Sequence, residues 1–197
     1  MARKPFVGGN WKMNLHRAEA IALAQAVGAA IPQNYGVDVA VFPAFPYLAE
    51  VGAALAAAQS GVKLGAQDFY HQPNGAFTGE VSLSMLKDLG VQVVLVGHSE
   101  RRHVLGESDV LINAKVRAAL DAGLEVILCV GEKLEQREAG MTHQINIAQV
   151  EYGLAGVKAE QMARVTVAYE PVWAIGTGKT ASTTDAQAAH HELRECL

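Results

Sequence analysis

The chain has 197 residues, half of them hydrophobic and 18% charged, and its formal net charge at pH 7 is −4. These values predict one folded domain with a sizeable core and exclude an intrinsically disordered chain. They do not indicate binding to nucleic acid or to an anionic membrane surface. An anionic substrate would have to be held by a few placed cations or by helix N-termini.

The cysteine content and the N-terminal sequence both bear on where the protein is located. Two cysteines, Cys129 and Cys196, are too few for a disulfide framework and predict a reducing, cytoplasmic location. The segment MARKPFVGGNWK lacks the apolar core of a signal peptide, and no apolar stretch is long enough to cross a bilayer. We therefore expect no membrane partner.

Short β-branched runs alternate with Ala- and Leu-rich segments of helical pattern. The runs lie near residues 5–9, 37–42, 62–65, 91–96, 124–130 and 164–169. Several, such as VQVVLV and EVILCV, are apolar at nearly every position, which predicts parallel strands buried on both faces.

Start and stop signals bound the helical segments between these runs. Ser108 precedes a helical pattern that ends at Gly123, and Ser182 with Asp185 predicts a capped last helix. Strand–helix units of about thirty residues result. Because no linker or low-complexity segment interrupts them, we expect one domain over residues 1–197.

A βα repeat allows either an open doubly wound sheet or a (β/α)8 barrel. The first βα turn reads GGNWKMN and lacks the GxGxxG pattern, which weakens a dinucleotide-binding interpretation. Both architectures place functional residues at the carboxyl ends of strands. In this chain Asn10 and Lys12 follow the first run, His98 follows the fourth and Glu170 the sixth.

The most informative segment is AYEPVWAIGTGKT, residues 168–180. Glu170 ends an apolar run, and the loop after it is unusually apolar for a loop. The loop comprises Pro171, Val172, Trp173, Ala174, Ile175, Gly176, Thr177, Gly178 and Lys179. This pattern predicts a lid that closes over a carboxylate and excludes water. The alternative is a buried corner in which Trp173 is core and Glu170 caps a helix. A phosphate loop is excluded, because GxxxxGK[ST] would need Gly where Trp173 stands.

Four polar side chains at strand ends form a candidate constellation around Glu170. His98 lies in GHSERR, and Glu100 is either its neighbour or a helix-start carboxylate. Asn10 and Lys12, two apart at a strand end, are expected to point to the same side. Each of these residues alone would more often be structural. Together, a carboxylate, an imidazole and a cation suit proton abstraction next to a carbonyl of an anionic substrate.

Such proton transfer needs no cofactor. A metal is not expected, because the seven histidines are scattered and neither HxxxH nor CxxC occurs. A hydrolase triad is unsupported, because GxSxG is absent.

Six blocks of sequence, taken in order, resemble the triosephosphate isomerase family. They are GGNWKMN (8–14), AQDFY (66–70), NGAFTGEVS (74–82), VGHSERR (96–102), CVGEKLEQREAG (129–140) and AYEPVWAIGTGKT (168–180). The resemblance extends over essentially the whole chain. It implies a (β/α)8 barrel that interconverts dihydroxyacetone phosphate and glyceraldehyde 3-phosphate through an enediolate.

The resemblance also implies a role for each candidate residue. Glu170 would be the base, and His98 a neutral electrophile beside the substrate oxygens. Lys12, assisted by Asn10, would hold the anionic substrate, and Glu100 would be a supporting acid. This family is itself a standard example of the neutral histidine and the closing loop, so these roles come from the resemblance alone.

Two loops receive roles from the resemblance as well. Gly176 in the lid would offer its backbone N–H to the substrate phosphate. The loop made of Gly75, Ala76, Phe77 and Thr78 would reach into a neighbouring subunit. A dimer is therefore implied, with Thr78 near the partner's active site.

The length departs from the family pattern. A complete barrel needs eight βα units and about 250 residues. We therefore expect an incomplete (β/α)8-type barrel of about six units, without units seven and eight. Exposed first and sixth strands predict a homo-oligomer, either a dimer or a strand-completing assembly. Loss of phosphate-binding loops predicts impaired activity. The alternative is an inactive remnant that serves assembly or sugar-phosphate binding.

Overall fold

The structure is a computed structural model that describes residues 4–197. Six strands alternate with helices along the chain. The strands are β1 (Phe6–Asn10), β2 (Asp38–Phe42), β3 (Val62–Ala66), β4 (Val93–Val96), β5 (Glu125–Val130) and β6 (Val165–Tyr169). Each lies within one or two residues of the run that predicted it.

Eight α-helices and three short 3-10 helices connect and follow these strands. The α-helices are α1 (Arg17–Ala30), α2 (Leu48–Ala57), α3 (Leu83–Asp88), α4 (Ser99–His103), α5 (Asp109–Asp121), α6 (Leu134–Glu138), α7 (Thr142–Leu154) and α8 (Thr183–Cys196). The 3-10 helices are Phe45–Tyr47, Ala159–Arg164 and Val172–Ala174. These counts refer to residues 4–197.

The described residues form two compact units, and the first contains residues 4–95 together with 122–125. Within it, β1, β2, β3 and β4 pair in chain order, and each pair is parallel. A doubly wound sheet reverses its strand order at a switch point, whereas this order runs in one direction. Right-handed crossovers between strands in this order place every helix on the same face, as in a barrel.

The second unit contains residues 96–121 and 126–197. Within it, β5 and β6 are parallel, with Val126 opposite Val165 and Val130 opposite Tyr169. Helix α7 packs between α5 and α8. The predicted fold class, a (β/α)8-type barrel of about six units, is confirmed by these parallel βα units.

Burial follows the apolar patterns of the strands. All four residues of β4 and all but the first of β5 are buried, as predicted for strands covered on both faces. By contrast, β1 and β6 contain no buried residue, and Val7 is 57% exposed.

Two predicted helix starts have the expected caps. The Ser182 hydroxyl accepts from the Asp185 N–H, while the Asp185 carboxylate accepts from the Ser182 N–H, so a capping box begins α8. At the start of α5, the Ser108 hydroxyl accepts from the Leu111 N–H. Between residues 4 and 197, none of the helices has the length and apolar character of a membrane span.

The amino end of β2 is held by an ion pair that predicts a pH effect on stability. Lys4 Nζ lies 2.5 Å from Asp38 Oδ1, and Lys63 Nζ lies 3.8 Å from Asp38 Oδ2. The hydrogen bond from Lys4 outweighs partial burial and lowers the pKa of Asp38. Since the folded state releases this proton more readily than the unfolded chain, the stabilisation is present above about pH 4 and lost below it.

We expect Asp38→Asn to lower the unfolding free energy at pH 7 by about 1 kcal/mol or less, because Lys4 is largely solvated. The difference in unfolding free energy between wild type and Asp38→Asn should narrow as the pH falls from 5 to 3. Urea unfolding of both proteins across this pH range measures that difference. A difference that stays constant with pH would contradict the assigned ion pair.

Candidate active site

The second unit brings His98 and Glu170 into direct contact. Glu170 follows β6 directly, and His98 follows β4 after Gly97, so each side chain is delivered from the carboxyl end of a strand. His98 Nε2 lies 2.8 Å from Glu170 Oε1. Both side chains are largely buried, with 9% and 16% exposed. An imidazole and a carboxylate at this separation can exchange or share a proton.

The backbone of α4 determines which nitrogen of His98 carries the proton. His98 is the N-cap of α4, and its Nδ1 accepts from the Glu100 N–H at 3.2 Å. A ring nitrogen that accepts is unprotonated, so in the neutral ring Nε2 holds the hydrogen and donates to Glu170. The Glu100 carboxylate lies 3.5 Å from Nδ1 and also in the first turn of α4, so both predictions for Glu100 hold.

Glu170 is also bound by the helix that carries His98. Its second oxygen, Oε2, accepts from the Ser99 N–H at 2.9 Å. Glu170 therefore satisfies a donor at the start of α4, as the helix-capping alternative predicted, while its other oxygen contacts the imidazole. The capping and acid–base interpretations describe the same geometry.

The backbone of Glu170 is held against the end of β5. Its N–H donates to the Val130 carbonyl at 2.7 Å. A Cβ added to Gly131 would lie only 1.8 Å from the Glu170 carbonyl oxygen, so this close approach requires glycine. The side chain of Gln149 on α7 holds Gly131 by accepting from its N–H at 2.9 Å and donating to its carbonyl at 3.3 Å.

The segment predicted as a lid starts buried and ends exposed. Trp173 in the 3-10 helix Val172–Ala174 is 7% exposed, so the expectation that this residue is core is correct in this conformation. Residues 175–180 are exposed, and Gly176 and Gly178 both have positive φ. Thr177 donates to the Trp173 carbonyl at 2.8 Å. The segment is thus anchored at Trp173 and exposed beyond it.

The anchor for Trp173 is a fully buried carboxylate, Glu132. Glu132 Oε1 accepts from the Trp173 indole N–H and from the Tyr169 hydroxyl, both at 3.0 Å. Arg137 pairs with Glu132 at 3.3 Å, and its guanidinium lies 4.4 Å from the centre of the Trp173 ring. This network links the 3-10 helix Val172–Ala174 to β6.

Sequence reasoning did not identify Glu132, although a signal was present. Glu132 follows the apolar run EVILCV by one residue, the same kind of position from which Glu170 was identified. The contacts with Tyr169 and Trp173 come from residues about forty positions away and were not visible in that pattern.

The Tyr169 hydroxyl provides a stability prediction with a matched control. Burial, together with the Glu132 carboxylate, raises the pKa of Tyr169 to about 12, so the hydroxyl remains a donor at neutral pH. Tyr169→Phe removes one hydrogen bond to a buried charge and should lower the unfolding free energy by about 1.5–3 kcal/mol. Tyr152→Phe removes the same atom from a side chain that is 62% exposed and should cost less than about 0.5 kcal/mol. Equal losses of unfolding free energy in Tyr169→Phe and Tyr152→Phe, measured by denaturant unfolding, would contradict the hydrogen bond from Tyr169 to Glu132.

The first unit contains the other two candidate catalytic residues, Asn10 and Lys12. Strand β1 ends at Asn10, and Lys12 has a φ of +53°, so strand alternation does not extend to Lys12. Its position is set by polar contacts: its N–H donates to Asn10 Oδ1 at 2.9 Å, and its carbonyl accepts from Gln67 at 2.8 Å. Gln67 also donates to the Phe42 carbonyl at 2.8 Å and thereby ties Lys12 to the end of β2.

The predicted interface loop also lies in the first unit. Gly75, Ala76, Phe77 and Thr78 are all exposed. The loop is a tight turn in which the Glu80 N–H donates to the Phe77 carbonyl at 3.0 Å. The Phe77 ring packs on Tyr70 with centroids 4.6 Å apart. The loop is therefore ordered by its own contacts and presents its tip outward, while its role at an interface stays a prediction.

The two cysteines are further reactive groups in the chain. Cys129 is buried, and burial together with the charge of Glu170 raises the pKa of its thiol well above the ordinary value. Cys129 and Cys196 are both free thiols. Within residues 4–197, His, Cys, Asp and Glu side chains form no cluster of three or more that could hold a metal ion.

A parallel βα repeat with an imidazole and a carboxylate just beyond the carboxyl ends of two of its strands defines an enzyme of the βα-barrel class, suited to acid–base chemistry. Comparison with known proteins narrows this class. The family model described as triosephosphate isomerase matches residues 5–197.

Curated relatives agree with the family model. A triosephosphate isomerase of Carboxydothermus hydrogenoformans is 52% identical, with 99% of this chain and 77% of the relative covered. One from Syntrophotalea carbinolica is 50% identical over the same shares. One from Treponema pallidum is 53% identical over 98% of this chain and 76% of the relative. The chain belongs to the triosephosphate isomerase family.

Proposed function

We propose that this protein interconverts dihydroxyacetone phosphate and glyceraldehyde 3-phosphate by proton transfer through an enediolate. The observation that carries the proposal is the contact of 2.8 Å between His98 Nε2 and Glu170 Oε1. It supplies a base and a hydrogen-bond donor side by side, which are the two groups that this reaction needs. Family membership supplies the substrate, since the relatives are named triosephosphate isomerase.

In the proposed reaction, Glu170 takes the proton from the carbon next to the substrate carbonyl. The electron pair of that C–H bond moves to form the C=C bond of the enediolate, and negative charge develops on the carbonyl oxygen. His98 Nε2–H donates to this oxygen and stabilises the charge. The hydroxyl hydrogen on the neighbouring oxygen then moves to the charged oxygen, with His98 beside both oxygens. Glu170 returns its proton to the former carbonyl carbon, where the C=C electron pair forms the new C–H bond, while the oxygen that lost its hydrogen forms the new C=O bond. No external oxidant, reductant or cofactor is required.

The described conformation is consistent with a resting state of this site. Both oxygens of Glu170 are taken by donors, Oε1 by His98 and Oε2 by the Ser99 N–H. To act as a base, Glu170 must release at least one of them. We propose that the bound substrate takes over the His98 donor, which frees Glu170 Oε1 for the carbon-bound proton.

The other candidate residues have supporting roles in this proposal. Lys12 supplies a cation for the phosphorylated triose, and Asn10, which accepts from the Lys12 N–H, holds the Lys12 backbone. Gly176 offers its N–H to the phosphate from the exposed part of the lid, and Glu100 orients His98 through its backbone N–H. Weakened phosphate binding stays a prediction.

We also propose a homodimer that uses the Gly75–Thr78 loop. Its exposed tip and the 39% exposure of Phe77 support this, as does the exposure of Val104 and Leu105 at 78% and 63%. Val104 and Leu105 are adjacent, and contiguous exposed apolar side chains mark surfaces that another chain covers. Light scattering at micromolar concentration is expected to give twice the chain mass, and a stable monomer would contradict the proposed homodimer.

Free thiols at Cys129 and Cys196 favour a cytoplasmic location.

The test is turnover of glyceraldehyde 3-phosphate by the purified 197-residue chain, with Glu170→Gln as the matched control. Dihydroxyacetone phosphate formation is followed with a coupling enzyme. Turnover that disappears in the control supports the proposal. Turnover at the same low level in both proteins would contradict it and favour a non-catalytic role.

A further inference from the structure

Arg102 lies on α4, one turn beyond His98, and its side chain is only 6% exposed. Its Nε donates to the Gly97 carbonyl at 2.7 Å and its Nη2 to the Cys129 carbonyl at 3.2 Å. Its Nη1 pairs with Asp109 Oδ1 at 2.6 Å. Nothing in the proposed chemistry uses this buried cation, so its position needs another explanation.

The first contact of Arg102 holds the peptide that leads into His98. Gly97 has a φ of +72°, and a Cβ there would lie 2.9 Å from Arg102 Nη2 and 3.2 Å from the Cys129 carbonyl oxygen. The guanidinium therefore occupies the space beside Gly97, and only glycine combines this backbone conformation with so close a neighbour. Because Gly97 directly precedes His98, its orientation sets where the imidazole begins.

The second contact holds the strand that positions Glu170. Cys129 is one residue before Val130, whose carbonyl accepts the Glu170 N–H at 2.7 Å. One guanidinium thus connects the peptide before His98 with the segment of β5 that fixes the Glu170 backbone. The two residues positioned in this way meet at 2.8 Å, between His98 Nε2 and Glu170 Oε1.

We propose that Arg102 is a positioning residue for the His98–Glu170 pair. Its hydrogen bonds to the Gly97 and Cys129 carbonyls set the separation of the imidazole and the carboxylate, and the Asp109 carboxylate balances its charge. In this role Arg102 acts through the backbone and not on the substrate. The kinetic part of this inference depends on the proposed function.

The chemistry of the side chain explains why arginine is needed. A guanidinium presents its N–H donors in a rigid planar fork and can serve three acceptors in different directions at once. A lysine ammonium is a compact point charge on a flexible stem and would not keep the same geometry. The two carbonyls would then lose their fixed distance, although the positive charge would remain.

The kinetic test compares Arg102→Lys with Asp109→Asn. Arg102→Lys is expected to lower kcat by about 10- to 100-fold, because small displacements of reacting groups have effects of this size. KM should stay within about twofold, because no substrate contact is removed. Asp109→Asn removes the ion pair but leaves both carbonyl contacts. It should reduce thermal stability while kcat stays within about threefold of wild type.

A spectroscopic measurement tests the same inference without activity. In wild type, the two ring nitrogens of His98 should give distinct 15N signals, since Nδ1 accepts from Glu100 and Nε2 carries the hydrogen. Arg102→Lys should move these signals towards each other, whereas Asp109→Asn should leave them unchanged. Arg102→Gln is a second variant with the same expected changes, in case the lysine variant does not fold.

The two proposals fail in distinguishable ways. An inactive wild-type chain would contradict the proposed function and leave the His98 signals as the test of Arg102. Wild-type values of kcat and His98 signals in Arg102→Lys would overturn the positioning role. Equal losses of kcat in Arg102→Lys and Asp109→Asn would also overturn it, because they would indicate a purely structural ion pair.

Discussion

Replacement of Glu170 by Gln is expected to lower kcat by about 10²- to 10⁴-fold, the usual range for loss of a general base. Glutamine has nearly the same shape and can still accept from the Ser99 N–H, which now bonds Glu170 at 2.9 Å. An amide cannot take a carbon-bound proton. The variant should therefore fold normally, and its defect should lie in kcat with little change in KM.

Glu170→Asp is the control that separates chemistry from position. It keeps the carboxylate but shortens the side chain by one methylene group. Its kcat should therefore lie between that of Glu170→Gln and that of wild type. Steady-state kinetics in both reaction directions measure all three proteins. A Glu170→Gln variant within tenfold of wild type would show that another group removes the proton.

Replacement of Gly131 by Ala should damage both stability and activity. The new Cβ would lie 1.8 Å from the Glu170 carbonyl oxygen and 2.8 Å from its carbonyl carbon. These are backbone atoms that no rotamer change can move, so β5 and the segment after β6 must separate. Overpacking commonly lowers the unfolding free energy by about 1–3 kcal/mol. Because this clash involves backbone atoms, we expect a loss at or above the top of this range. We also expect kcat to fall at least tenfold, because Glu170 shifts with its backbone.

Gly9→Ala is the matched control for this effect on stability. A Cβ at Gly9 would have its nearest neighbours at 3.8 Å, which is an ordinary van der Waals distance. Its cost in denaturant unfolding should be within about 1 kcal/mol of zero. Equal costs for the two substitutions would contradict the close approach at Gly131.

The parts of the fold that local pattern determines were predictable from the sequence. Strands β4 and β5 were predicted because a run that is apolar at nearly every position has almost no solvent face. His98 and Glu170 were identified because each is a polar side chain just after an apolar run. Their contact follows from the rule that carboxyl ends of parallel strands lie together, and the structure reports it at 2.8 Å.

Features that depend on distant contacts were not predictable in the same way. Lys12 was expected to point to the same side as Asn10 by strand alternation, yet it has positive φ and is held by Asn10 and Gln67. Gln67 lies 55 residues away, so nothing local to Lys12 indicates this bond. The roles of Glu132 and Arg102 likewise arise where separate elements converge. A motif can locate a reactive group, but the side chains that hold it come from other segments.

The segment predicted as a lid, residues 171–179, likewise combines features visible in the local sequence with contacts that are not. Its apolar character was visible in the sequence, but two interpretations of Trp173 remained open. The structure places Trp173 in a buried site and gives it a charged partner, Glu132, at 3.0 Å. Movement of Trp173 out of this site would have to break this hydrogen bond.

The measurement that tests the central claim most directly is exchange of the carbon-bound hydrogen of dihydroxyacetone phosphate with solvent. The 197-residue chain is incubated with this substrate in D₂O, and deuterium at the hydroxymethyl carbon and in glyceraldehyde 3-phosphate is followed by NMR. If Glu170 abstracts the proton, the wild-type chain incorporates deuterium and Glu170→Gln does not. Product formed without deuterium, or exchange that is equal in both proteins, would contradict proton abstraction by Glu170.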